Sequence, residues 1–425
     1  MSCWLNLCWS TDAVMKSSYF LFLTFLFALL NGCANTSDAY HLGDSGADSD
    51  RRLLVTFVDR TIDRKLPANT QEGYRSRGLY NNSGWSTRFA HDLADRHHLQ
   101  YITQWPVTTL GVSCVVYDVP KGFQLVQVMV ELQKDPQVSL VQQMHNFEVL
   151  GSKEHGFPVS TTDPYVHLQA GFNALEIENL HRSSTGRGVR IAIIDTGVDI
   201  DHPDLKGQIK SSENMGPEPL DHNVADIHGT AVAGILSARA DNGIGIVGIA
   251  PEAEILAFRA CWPDKPNSLA AHCNSFTLAL ALNQAISLDC RIVNLSLSGP
   301  DDPLLRQLVE KALAKGIIVV AAVPAKSQVG GFPANVPGVL AVGFDGGDNQ
   351  VGIIAPGQDI LTTVPHQAYD FMTGSSFATP HVAGVAALLL ELHPDWQAID
   401  IKNALHKDSN QLTAKSIQVA LNATK

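Results

Sequence analysis

A chain of 425 residues exceeds what one hydrophobic core usually organises, so two folded units with accessory segments are expected. At 45% hydrophobic and 17% charged residues the composition is globular and excludes wholesale disorder. Thirty basic against 42 acidic residues leave a net charge of −12, the wrong sign for a chain whose main task is to grip phosphate backbones, so nucleic acid is excluded as a partner.

The amino end reads as an address. Lys16 precedes an apolar run from Tyr19 to Leu30, which is too short for the roughly 30 Å of a bilayer core and has the length of a signal peptide. The run ends in Leu30-Asn31-Gly32-Cys33. That ending resembles the lipobox of bacterial lipoproteins, in which the cysteine becomes the lipidated first residue. An ordinary secretory signal is the alternative; both imply export, with membrane contact only through the lipid. Met15 opens a complete signal by itself, so residues 1–14 are set aside. Residues 34–50 are rich in Ser, Asp and Gly and read as a flexible tether.

Residues 51–151 carry a mixed pattern. Leu53 to Val58 is apolar and β-branched, Thr87 to His98 has helical spacing, and Val112 to Val119 is strand-like. Phe123 to Leu132 is helical again, and Val138 to Val149 is strand-rich. The order approximates β-α-β-α-β, a small α+β ferredoxin-like unit with one split strand. It holds no chemical motif; His97 and His98 sit at a helix end, where the dipole favours them. Residues 152–166 turn to Gly, Pro, Ser, Thr and Asp and read as a linker, open to cleavage between Gly151 and Pro164.

The second unit, 167–410 with a tail at 411–425, alternates strand and helix. Val189 to Ile194, Ile255 to Phe258, Ile292 to Leu297 and Ile317 to Ala322 are short apolar runs without alternation, as in parallel strands covered on both faces. Between them the stretch Pro303 to Lys315 is helical, with Asp302 placed to cap it, Pro303 suited to its first position and Gly316 to its end. The architecture is a three-layer α/β sandwich with a mainly parallel sheet, whose chemistry belongs at the carboxyl ends of the strands.

Three motifs meet that condition. Asp195 follows the strand ending Ile193-Ile194, His228 opens HGTAVAGI, and Ser376 lies in TGSSFATPHVAG just before an apolar helix. Each alone reads as a turn or cap residue. Together they put an acid, a base and a nucleophile at one edge of one sheet.

The segments IAIIDTGVDIDHPDL, HGTAVAGI and GSSFATPHVAG resemble the three catalytic signatures of subtilisin-like serine proteases, in that family's order. The likeness covers roughly residues 165–407 and includes GIGIVGIAP, NLSLSG and GFPANVPGVLAVG. It implies a serine endopeptidase with Ser376 as nucleophile, His228 as general base and then acid, and Asp195 as the group orienting His228. An α/β-hydrolase is excluded, because Ala378 stands where a nucleophile elbow needs glycine. The resemblance further implies that Leu297, Ser298 and Gly299 pair with an extended peptide substrate. It also implies that residues 51–151 are a propeptide acting as intramolecular inhibitor and folding aid. No cofactor is needed for the chemistry. Asp204 and Asn242 match positions that coordinate a structural calcium in relatives, with the carbonyls of Ile244 and Ile246 nearby, though the loop also reads as a plain turn.

One departure matters. The family's second oxyanion donor is an asparagine soon after the strand matching Ile317 to Ala322, and here the chain reads AAVPAKS, with Pro324 about at that position. Proline has no donor; Lys326, Ser327, Gln328 or a water would have to replace it. The alternatives are therefore a subtilase-like chain that binds peptides with weak or no activity, and a protease specialised to one partner. The seven cysteines never adopt the spacing of a zinc module. Cys261 and Cys273 bracket a short excursion and are expected to form a disulfide, with Cys114 and Cys290 as buried thiols. His272 and His381 are expected to be structural.

Overall fold

Alternation along one strand accounts for the amino-terminal unit. In β1 (Arg52–Val58), Leu53, Val55 and Phe57 enter one buried cluster, and Leu54 enters another, as side chains on a strand must. The first cluster lies under helices Gly84–His97 and Leu125–Gln133; the second faces the carboxyl-terminal unit. With β2 (Gln100–Val107), β3 (Val112–Asp118) and β4 (Val138–Gln143) the sheet is antiparallel, in the order β2-β3-β1-β4. This is the expected ferredoxin-like unit, with β2 added. Polar residues and Pro106 obscure β2 in the sequence, and proline is tolerated because the strand lies at the sheet edge.

The computed structural model describes residues 51–59, 82–149, 152–154, 163–216, 226–263, 265, 268–324, 331–348, 351–405 and 409–423. The signal-like run, Cys33, the tether at 34–50 and most of the expected linker lie outside them. After β4 the chain forms β5 (Asn146–Val149) and β6 (Ser152–Glu154). The second unit then adds β7 (Arg190–Asp195), β8 (Ile209–Asn214), β9 (Glu254–Arg259), β10 (Cys261–Pro263), β11 (Ala271–Asn274), β12 (Ile292–Leu295) and β13 (Leu297–Ser298). It closes with β14 (Ile318–Ala322), β15 (Leu340–Phe344), β16 (Ile353–Ala355), β17 (Ile360–Val364) and β18 (Ala368–Thr373).

Seven of these make one sheet in the order β16-β15-β14-β12-β7-β9-β8, and every pairing in it is parallel. Along β7, Ile191 and Ile193 join one core and Ala192 and Ile194 the other. Both faces are covered, which is why the run lacks polar alternation. Helices Ile227–Ser237 and Ser375–Leu392 supply the first face; Ser275–Ser287 and Pro303–Ala314 supply the second. The three-layer α/β sandwich is thus as expected. Asp302 caps its helix by accepting from the Leu305 N–H at 3.0 Å, and Gly316 ends it at φ 78°. The helix Ser375–Leu392 is long and apolar enough to cross a membrane, yet 89% of it is buried in the protein, so it is a core helix. Residues 414–421, expected as part of a tail, form a helix whose Ile417, Ala420 and Leu421 join the same core.

The two units meet across the second face. Trp105 lies edge-on to Phe276 with ring centres 4.2 Å apart. Gln142 donates to buried Asp302 at 2.8 Å and accepts from the Leu304 N–H at 2.9 Å. Burial pushes the Asp302 carboxyl up, but hydrogen bonds from His145, the Leu305 N–H, Ser275 and Gln142 outweigh it and leave the pKa below its ordinary value.

Candidate active site

Asp195 ends β7, beside β9 and β12 at the sheet's carboxyl edge. Its Oδ1 accepts from the Thr196 N–H at 2.7 Å and from His228 Nδ1 at 2.8 Å. Both side chains are almost wholly buried, where low dielectric strengthens such a bond. A carboxylate only accepts, so Nδ1 carries the proton of this bond, and in the neutral ring Nε2 is the nitrogen with the lone pair. That Nε2 is buried and has no hydrogen-bond partner among the described residues. His228 is held by the start of its helix. Gly229 presses so closely that a Cβ there would collide with the Gly197 carbonyl, and its N–H donates to Thr196 Oγ1 at 3.1 Å.

Ser376 stands in the first turn of helix Ser375–Leu392. Pro380 lies inside that helix and has no N–H to offer the Ser376 carbonyl one turn earlier. The freed carbonyl accepts instead from Ser296 Oγ at 2.8 Å, and Ser376 Oγ donates to the Ser296 carbonyl at 2.8 Å. This reciprocal pair pins the helix start to the residue that follows β12. The neighbouring Phe377 ring lies 5.3 Å from the His228 ring. Asp195 and His228 are therefore joined directly, whereas the Ser376 hydroxyl is turned onto Ser296, a competing acceptor.

Pro324 follows β14 and lies next to Gly331, where an added Cβ would come within 3.3 Å of the proline Cγ. Lys326, Ser327 and Gln328 lie outside the described residues. His381 behaves as a structural residue: burial pushes its pKa down to about 4, and Nδ1 donates to the Phe377 carbonyl at 2.8 Å. Cys114 and Cys290 are buried thiols, and Cys261 and Cys273 form a disulfide.

The segment Leu297–Gly299 meets a peptide, and the peptide is the protein's own. β5 lies as an inner strand between β11 and β13, pairing Val149 with Leu297 and Glu148 with Ser298, and His272 to Asn274 with Glu148 to Asn146. Gly299 bridges to Phe332 instead. Past two further residues, β6 pairs with β18, setting Ser152 opposite Thr373. The amino-terminal segment thus contributes one strand beside β13, which follows Ser296, and another beside β18, which precedes the Ser376 helix.

Sequence reasoning missed three parts of this site. Ser296 was within reach, since it sits in NLSLSG. The pairing of β11 with β5 carried no signal because the two strands are remote in the chain. The third is a charged pair: Arg259 Nη2 lies 3.5 Å from Asp226 Oδ2, and its Nε donates to the Thr196 carbonyl at 2.9 Å. Burial pushes the Asp226 carboxyl up, Arg259 pulls it down and Asp195 pushes it up, leaving it above its ordinary value two residues ahead of His228.

The loop expected to hold calcium is arranged with the opposite polarity. Asp204 Oδ1 accepts from Asn242 Nδ2 at 2.9 Å, and Oδ2 accepts from the Ile246 N–H at 2.9 Å and the Tyr369 hydroxyl at 2.8 Å. Asn242 Oδ1 accepts from the Ile244 N–H at 2.8 Å, and Asp163 accepts from the N–H groups of residues 241–243. A cation needs oxygens turned toward it. Here donors are turned toward the carboxylates, and the residues as arranged do not fit the ion. No described group of three or more His, Cys, Asp or Glu residues could hold a metal.

The subtilase family, Peptidase S8, matches residues 186–420. Subtilisin E of Bacillus subtilis (strain 168) is 32% identical over 300 residues, spanning 66% of this chain and 73% of that protein. An intracellular serine protease of Paenibacillus polymyxa is 35% identical over 249 residues, 53% of this chain and 73% of that protein. Among solved structures, fervidolysin from Fervidobacterium pennivorans, a keratinolytic enzyme related to subtilisin, superposes with a TM-score of 0.65 at 20% identity. The superposition covers 90% of this chain and 62% of that one, and at that identity it establishes likeness of fold alone.

Proposed function

Because the chain belongs to the subtilase family and is a serine-type endopeptidase, we propose that Asp195, His228 and Ser376 are the residues with which it cuts peptide bonds. One observation carries the assignment: the buried 2.8 Å bond from His228 Nδ1 to Asp195, with Nε2 left without a hydrogen-bond partner among the described residues. Rotation of the Ser376 hydroxyl from the Ser296 carbonyl to Nε2 lets His228 take the proton as Oγ attacks the carbonyl carbon. His228 then returns the proton to the departing amine, and water repeats the cycle on the acyl-enzyme. The oxyanion meets the backbone N–H of Ser376 at the start of its helix. Pro324 supplies no second donor; removing such a donor lowers turnover by about 10² to 10³, a magnitude measured on a relative in this family. Calcium has no part in the proposal, given the polarity of the Asp204 loop.

The substrate is an extended peptide held by backbone pairing between β11 and β13, which is what β5 copies. On this reading residues 51–149 are an inhibitory propeptide. The cut that frees them lies between Val149, opposite Leu297, and Ser152, opposite Thr373, at the upstream margin of the expected linker. Export rests on the signal-like run ahead of Cys33, with a lipid anchor as its finer form.

Ser376→Ala protein and the native chain, expressed in full and purified, test the assignment together. The native chain should degrade casein, take a fluorophosphonate label at Ser376 and show by mass spectrometry a new amino terminus between residues 150 and 152. The variant should stay uncut and unlabelled. A well-folded native chain that takes no label overturns it.

A further inference from the structure

Resting on the assignment of Asp195, His228 and Ser376 above, the start of the His228 helix carries a further inference. Asp226 is the N-cap of helix Ile227–Ser237, and its carbonyl accepts from the Thr230 N–H at 3.2 Å. An aspartate there ordinarily turns its carboxylate onto the second or third N–H of the helix, which here belong to His228 and Gly229. This one makes no such bond. The Gly229 N–H donates instead to Thr196 Oγ1 at 3.1 Å, so the helix that bears the base is capped by the residue that follows the acid. Thr196 in turn gives its own N–H to Asp195 Oδ1 at 2.7 Å.

One guanidinium accounts for the exchange. Arg259 ends β9 opposite Asp195 of β7. Its Nη2 faces Asp226 Oδ2 at 3.5 Å, and its Nε donates to the Thr196 carbonyl at 2.9 Å. Both charged side chains are largely buried. The guanidinium also lies against Trp262, whose ring centre is 5.5 Å from Cζ, and Gly216 makes room for that ring, since a Cβ there would collide with it. A planar fork grips two acceptors in fixed directions at once, which an ammonium on a flexible stem does not.

We propose that Arg259 is a positioning residue for the reaction: it holds the Asp226 carboxylate away from the helix start and Thr196 against it, and so keeps His228 aligned with Asp195. Without Arg259 the freed carboxylate competes with Thr196 for the Gly229 N–H, and the link between the acid's segment and the base's helix is broken. Arg259 acts through Asp226 and Thr196 and transfers no proton.

The test is suppression of one substitution by another. Processed enzymes, trimmed with a trace of the native enzyme where a variant does not trim itself, are compared on a peptide copying residues 143–154. Arg259→Met should lower kcat about 30-fold with KM within about twofold, as for a misplaced base. Asp226→Ala alone should cost no more than about threefold, and added to Arg259→Met it should restore kcat to within about fivefold of native, because no carboxylate is left to take the cap. In full-length Ser376→Ala protein the low-field proton resonance of His228 Nδ1 reads the same order without turnover. It should persist in the Asp226→Ala/Arg259→Met background and be shifted or lost with Arg259→Met alone. A double variant as slow as Arg259→Met, or a resonance that Arg259→Met leaves unchanged, overturns the proposal. If Arg259→Met does not fold, Arg259→Lys with and without Asp226→Ala decides by the same suppression. If the native enzyme cuts nothing, the catalytic assignment is what fails, and the resonance alone judges Arg259.

Discussion

Asp195 and Asp204 are two buried carboxylates in the same stretch of chain, and they end in opposite ways. Asp195 accepts from a backbone N–H and from an imidazole whose far nitrogen has no partner among the described residues. Asp204 accepts from an amide, a backbone N–H and a phenol, a closed set with nothing left to pass on. Burial pushes the Asp204 carboxyl above its ordinary value, while the Ile246 N–H, Asn242 and Tyr369 pull the other way. A polar cluster that is fully satisfied stabilises; one that stops at an unsatisfied base stores chemistry. Changes at the first corner should therefore act on turnover, and changes at the second on stability alone.

The largest effects belong to the open corner. Ser376→Ala or His228→Ala should each lower kcat by about 10⁶, and Asp195→Asn by about 10⁴, the scale found for a relative in this family. Melting temperature should stay within a few degrees for Ser376→Ala, because only a hydroxyl bonded to the Ser296 carbonyl is lost. A large fall in melting temperature with little loss of turnover would reverse the contrast.

A smaller effect sharpens it. Pro324→Asn offers a side-chain amide where proline has no donor, and kcat should rise about tenfold or more with KM unchanged, as expected of a group that meets only the transition state. No gain in single-turnover acylation would mean that another donor already serves the oxyanion.

How far the sequence reached follows the same division. Asp195, His228 and Ser376 were legible because each lies in a local motif of small residues that lets a helix approach backbone, as Gly229 does against Gly197. The helix from Pro303 was legible from its two ends, and the Cys261–Cys273 pair from its short loop. What escaped was register between distant segments. Nothing local says that Phe147 will face Cys273, or that Tyr369 will reach Asp204 across 165 positions. The calcium expectation finds no support for that reason, and the plain-turn alternative stands: DNGIGIVG supplies oxygens on paper, and the Tyr369 hydroxyl of β18 donates to the Asp204 carboxylate.

That tyrosine gives the smallest and most discriminating expectation. Tyr369→Phe removes one donor to a buried carboxylate, a loss of about 1.5 to 3 kcal/mol for a hydrogen bond to a charged group. In a catalytic unit of this size that is a fall of roughly 5 °C in melting temperature. Turnover at 25 °C should not move, since the bond lies outside the Asp195–His228 chain. The sign with pH follows from the raised Asp204 pKa. The folded protein holds this proton to a higher pH than the unfolded chain, so the contribution is full below the ordinary carboxylate range and is lost as pH rises through the folded value. Loss of the tyrosine donor raises that value further and shifts the loss upward in pH. Adding calcium or a chelator to the native protein should leave the melting temperature alone. An ion at about 100 times its dissociation constant would add about 2.7 kcal/mol, several degrees, which is easily read. A calcium-dependent rise that survives in Tyr369→Phe would show that the loop can turn its oxygens inward after all, and that the Asp204 corner is open in its own way.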